Sequence, residues 1–123
     1  MAHVLVVDDS STMREIVSSY LIQNGFEVTV ASDGRDGIAK LQQDPGIRLI
    51  VSDVNMPNMD GLTMAQKIRT EFGNKDVRII MLTTEDNAAI RARGREAGVT
   101  GWIVKPFRGD AVLAPFRKFC GLS

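Results

Sequence analysis

Five short runs rich in apolar and β-branched residues, at 4–7, 26–31, 49–52, 77–82 and 101–104, alternate with stretches of helical periodicity. A continuous apolar run bounded by polar residues reads as a strand buried on both faces. Helical spacing is carried first by Met13, Ile16, Val17, Tyr20 and Leu21, then by Ile38 and Leu41. Leu62, Met64, Ala65, Ile68 and Phe72 carry the third helix, and an Arg-rich stretch over 86–97 the fourth. A last helix is expected over 110–119, where Pro115 removes a backbone donor and kinks or shortens it. Strands alternating with helices through short connections demand a parallel sheet covered on both faces, an α/β doubly wound fold. Ser10 or Ser11 suits the cap of the first helix and Gly25 its stop, while Asp33-Gly34 reads as a turn.

A chain of 123 residues suits one domain, and 44% hydrophobic residues suffice for its core. Lys plus Arg and Asp plus Glu balance at 15 each, so no global field favours nucleic acid or a membrane surface. The single cysteine, Cys120, excludes an internal disulfide and fits a reducing compartment. No signal peptide is visible, and no apolar run approaches the ~18 residues of a membrane span. The expectation is a cytoplasmic monomer whose residues 1–123 form one domain with no output domain.

The chemistry lies at the strand tips. The first strand ends in Asp8-Asp9, the third in Asp53, the fourth in Thr83 and the fifth in Lys105. In a parallel sheet these tips share one edge. With strand order 2-1-3-4-5, the winding reverses between strands one and three, and the crevice there gathers Asp8, Asp9 and Asp53. Three carboxylates in one crevice repel, and a divalent cation relieves the conflict. Hard oxygen donors suit Mg²⁺, and with no His or Cys nearby the set does not suit zinc. A cation, an ammonium and a hydroxyl beside a carboxylate make a phosphoryl-binding site with Asp53 as nucleophile. Taken singly, each residue has a plainer reading. Asp8-Asp9 reads as a helix cap, Asp53 as a turn former, Lys105 as a surface lysine and Thr83 as a cap. Only their convergence on one edge favours the chemical reading.

Asp8-Asp9, the stretch from Asp53 through Asn55, Met56, Pro57, Asn58, Met59 and Asp60 to Gly61, Thr83, and Lys105-Pro106-Phe107 together resemble the receiver domain of two-component response regulators. Within that family the likeness is strongest to the stand-alone chemotaxis receivers, and it covers essentially the whole chain. It implies a flavodoxin-like (βα)5 fold of order 2-1-3-4-5. It implies that Asp53 accepts a phosphoryl group from a phosphohistidine on a partner histidine kinase. Asp9, Asp53 and the backbone carbonyl of Asn55 would bind Mg²⁺, with Asp8 acting mostly through water. Lys105 would contact the phosphoryl group and Thr83 would sense it. The aromatic residue at Trp102 would then turn inward and change the surface used by a downstream target, first among them the flagellar motor switch. Asn55 and Glu85 would tune how fast water removes the phosphate. A cis peptide bond would precede Pro106.

Three positions depart from the family pattern: Trp102 where Tyr or Phe is usual, Thr84 beside Thr83, and Pro115 in the last helix. A phosphate sink or relay receiver is the first alternative. A Mg²⁺-dependent phosphohydrolase of the haloacid dehalogenase type is the second, although it normally carries Asp-x-Asp after its first strand. A flavin-binding flavodoxin is the third, disfavoured by the three carboxylates. Outside the edge, His3 is expected at an exposed strand start, and Met56 and Met59 as loop packing. Arg91, Arg93 and Arg95 read as a solvated helix face.

Overall fold

The computed structural model describes residues 3–109. The last helix expected over 110–119, with Pro115 and Cys120, lies outside them. Strands β1 (His3–Val7), β2 (Glu27–Ala31), β3 (Ile47–Ser52), β4 (Arg78–Thr83) and β5 (Gly101–Val104) pair in parallel in the order β2-β1-β3-β4-β5. Helices α1 (Ser11–Gln23), α2 (Gly34–Gln43), α3 (Gly61–Thr70) and α4 (Ala88–Glu96) connect them.

The apolar runs of the central strands serve two cores at once. Side chains alternate across a strand, so Leu5 and Val7, Ile50, and Ile79 and Met81 pack with Ile38, Leu41, Leu62, Met64 and Ile68 of α2 and α3. Val4 and Val6, Leu49 and Val51, and Ile80 and Leu82 face the other way, onto Val17 and Leu21 of α1. Met56 and Met59 pack against the first of these cores, as loop packing requires.

Each described helix opens on a side chain that accepts from the backbone N–H three residues on: Ser10 from Met13, Asp33 from Asp36, Asp60 from Thr63 and Asn87 from Ile90. Such a cap is worth ~1 kcal/mol. β3 starts earlier than expected, at Ile47, and α3 ends at Thr70, short of Phe72, which is exposed. Two helix starts also differ from expectation. Asp33-Gly34 is the start of α2 rather than a free turn, because the Asp33 carboxylate satisfies an orphan amide of that helix. The fourth helix begins at Ala88, because Asn87 takes the cap while Asp86 pairs with Arg91 at 2.6 Å.

His3 also departs from expectation. It is half-buried, with Nε2 2.7 Å from Thr29 Oγ1 and Nδ1 2.7 Å from Asp44 Oδ2. Strand β1 is therefore fastened at its start to β2 and to the end of α2.

Register sets the site. Val7 pairs with Ser52, so Asp8 and Asp53 leave the sheet side by side, and the Asp53 amide donates to the Val7 carbonyl at 3.0 Å. Thr83 pairs with Val104, and the Lys105 amide donates to the Thr83 carbonyl at 2.9 Å.

Candidate functional site

Asp8, Asp9 and Asp53 each bring a carboxylate oxygen to a point where all three lie within 4.8 Å of one another. Asp8 is buried, Asp53 half-buried and Asp9 exposed at the rim. Lys105 reaches across from β5 and places Nζ 3.0 Å from Asp53 Oδ2 and 3.3 Å from Asp8 Oδ2. The other oxygens are held by the backbone: Asp53 Oδ1 accepts from Val54 N at 2.7 Å, and Asp8 Oδ1 from Ser10 N at 2.9 Å. Arg14 Nη1 donates to the Asp8 carbonyl at 2.6 Å, tying α1 to this turn.

Burial raises the Asp8 carboxyl above the ordinary carboxylate range, and the charge of Asp53 adds to it; the Ser10 amide and Lys105 offset only part. Burial works to lower Lys105 as well. There the hydrogen bond and charge of Asp53, then those of Asp8, prevail and hold the ammonium above the ordinary lysine value. A buried carboxylate that resists ionisation among two more acids fits a hard divalent cation, and the donors are all oxygen.

The remaining predicted residues ring this centre. Thr83 is fully buried, and its Oγ1 accepts from the Glu85 amide at 3.2 Å. Thr84 is exposed beside it. Asn55 Nδ2 donates to Glu85 Oε1 at 2.8 Å, joining the loops after β3 and β4. Trp102 Nε1 donates to the Glu85 carbonyl at 2.9 Å, and Arg91 lies over its ring, 5.7 Å from the centroid. A Cβ at Gly94 would come within 2.9 Å of the indole, so the glycine in α4 makes room for it. Arg93 and Arg95 are solvated, but Arg91 is half-buried between Asp86 and Trp102 rather than free on the helix face. The Lys105–Pro106 peptide bond is cis.

Sequence reasoning gave no role of their own to three positions. A Cβ at Gly61 would strike the Asp53 carbonyl, so this glycine is set by contact with the acidic tip. Asn58 adopts a left-handed φ of 67°, and its Nδ2 donates to Asp33 Oδ2 at 2.7 Å. Arg14 is the third. The Asp60-Gly61 pair signals a cap, whereas the Asn58–Asp33 and Arg14–Asp8 contacts leave no periodic trace.

Residues 4–117 match the family model of the response regulator receiver domain. The chain is 42% identical over 121 residues to the chemotaxis protein CheY1 of Helicobacter pylori, a match covering 98% of each. Among solved structures it is similar to the Vibrio cholerae chemotaxis protein CheY4. The TM-score is 0.90 at 41% identity, over 97% of this chain and 98% of that one. It is also similar to the response regulator TrrA of Thermotoga maritima, solved in complex with Mg²⁺ and BeF. There the TM-score is 0.84 at 29% identity, over 97% and 99% of the two chains. The sheet order, the acids at adjoining strand tips and the match across nearly the whole length agree: the chain belongs to the response-regulator receiver domain family.

Proposed function

We propose that Asp53 is the phosphoacceptor of a Mg²⁺-dependent transfer from a phosphohistidine on a partner histidine kinase. The observation that carries this reading is the contact of one ammonium, Lys105 Nζ, with two of three clustered carboxylates. Asp9, Asp53 and the Asn55 carbonyl would hold Mg²⁺, with Asp8 acting through water, and the ion would neutralise charge on the transferring phosphoryl group. An Asp53 carboxylate oxygen attacks phosphorus, the P–N bond to the imidazole breaks, and the electron pair leaves with the ring nitrogen. Lys105 moves its interaction from carboxylate to phosphoryl oxygen. Thr83 turns its hydroxyl from the Glu85 amide toward the new oxyanion. Water later cleaves the acyl phosphate, and the Asn55–Glu85 pair at the mouth governs its approach.

Phosphorylation then shifts a two-state equilibrium, with Thr83 and Trp102 as the switch, and the altered surface binds a protein target. Likeness to chemotaxis proteins favours a chemotaxis role, with a chemotaxis kinase upstream and the flagellar motor switch as target. On this reading the chain is one cytoplasmic receiver unit, monomeric, that turns over no separate substrate and binds neither nucleic acid nor membrane. Among the described residues no helix is long and apolar enough to cross a membrane.

The test is intact-protein mass after incubation with acetyl phosphate, with and without Mg²⁺. One phosphoryl group should be gained only with Mg²⁺, and Asp53→Asn should gain none while remaining folded. Label on Asp53→Asn, or hydrolysis of acetyl phosphate with no phosphorylated species at any time, would overturn the assignment.

A further inference from the structure

The loop from Asp53 to Asp60 carries the phosphoacceptor at one end and Asn55 two residues on. Its ends are fixed locally. The Asp53 amide donates to Val7, the Gly61 amide to the Val54 carbonyl at 2.8 Å, and Asp60 caps α3. Its middle is held from outside the site. Asn58 stands at φ 67°, a conformation in which Asn and Asp are enriched. Its side-chain amide donates to Asp33 Oδ2 at 2.7 Å. The next residue, Met59, accepts from the Gly34 amide at 3.1 Å, and a Cβ at Gly34 would meet Met59 Cγ and its carbonyl oxygen at 2.8 Å. Meanwhile Asp33 Oδ1 caps α2 by accepting from Asp36 N at 2.9 Å. One buried carboxylate thus serves two tasks: one oxygen starts a helix, and the other pins the loop that follows the phosphoacceptor.

The geometry points to Asp33 and Asn58 as a positioning pair that holds the 53–60 loop, and with it the Asn55 carbonyl, in the arrangement that binds Mg²⁺. Neither residue touches the acidic cluster, and both act through the backbone between Asn55 and Met59. The inference rests on the proposed Mg²⁺ site. It deepens that site by naming residues outside it that set its affinity.

The chemistry of the pair supplies its own controls. Asp33→Ser keeps a good N-cap, because its hydroxyl can still accept from Asp36, but it is too short to reach the amide of Asn58. Asn58→Gly keeps the left-handed backbone and removes the side-chain donor. The double variant Asp33→Asn with Asn58→Asp exchanges donor and acceptor and restores the hydrogen bond in reverse.

Mg²⁺ affinity, titrated calorimetrically with Mg²⁺ alone, should fall about tenfold in each single variant, the low end for a contact outside the ligand set. It should return to within about threefold of wild type in the double variant, whose restored contact is the pair's contribution. Without metal, exchange of the Gly34 amide should quicken in the single variants and slow again in the double. Single variants that are folded and bind Mg²⁺ as wild type does would overturn the positioning role and leave the site intact. So would a double variant that rescues neither affinity nor exchange. Wild-type protein that binds no Mg²⁺ would overturn the site itself, and the inference with it.

Discussion

The two ends of the sheet treat polar side chains differently. At the ends where the strands begin, burial and the charge of Arg78 work against the Arg69 guanidinium, yet the inward side chains there are met by hydrogen-bond partners. His3 sits between Thr29 and Asp44, and Arg69 donates to the Gly98 carbonyl at 2.9 and 3.2 Å and to the Asn74 carbonyl at 3.0 Å. At the ends where the strands finish, three carboxylates face one ammonium, and burial opposes the ionisation of Asp8. One end joins strands to helices by satisfied hydrogen bonds. The other gathers three carboxylates in a half-buried crevice, where the proposed Mg²⁺ and phosphoryl group would sit. A polar cluster that is fully satisfied stabilises; one that is not marks a place where something binds.

The comparison breaks most readily at Arg69. Replacing it with Met leaves two carbonyls without their donor, and stability should fall by about 2 kcal/mol, read from urea unfolding. Mg²⁺ affinity should not move. If it does, the two ends are coupled and the contrast fails.

Asp8→Asn should act in the opposite sense. It removes a carboxylate whose ionisation burial opposes, so the metal-free protein should gain of order 1 kcal/mol in urea. Added Mg²⁺ should then stabilise the variant far less than it stabilises wild type. A metal-free variant less stable than wild type would mean that Lys105 already balances the crevice.

The smallest effect sharpens the contrast within the end where the strands finish. The Asp36 amide, then Asn58, hold the Asp33 carboxyl below the ordinary carboxylate range. Its folded pKa is depressed, so its contribution is complete above the unfolded value of about 3.9 and is lost as pH falls through the lower folded value. Stability of wild type should therefore drop more steeply below pH ~4 than that of Asp33→Asn. Parallel slopes would show that Asp33 contributes nothing through its charge.

Much of this was legible in the sequence, for identifiable reasons. A strand covered on both faces must be apolar throughout, so the runs ending in Asp8, Asp53 and Thr83 announced both the parallel sheet and the edge where the acids gather. Right-handed crossovers then left little freedom in strand order. What escaped were pairings with no periodicity. His3 meets Asp44 and Thr29 only because register brings the start of β1 beside them. Asp33-Gly34 carries the composition of a turn, and its role as a cap depends on where α2 begins. Asn58 gave no sign of its partner, which lies 25 residues back along the chain.

The hydrogen bond from Trp102 to the Glu85 carbonyl has an optical consequence. The chain holds a single tryptophan, so its indole emission comes from one ring at one address. That ring leans on Gly94 of α4 and lies beneath Arg91, while its N–H reads the loop that leaves Thr83. Any rearrangement of that loop changes the polarity and quenching that the indole experiences. The protein thus carries a built-in, label-free fluorophore at the joint between its acidic edge and α4, and its conformational kinetics can be followed in real time without adding a dye.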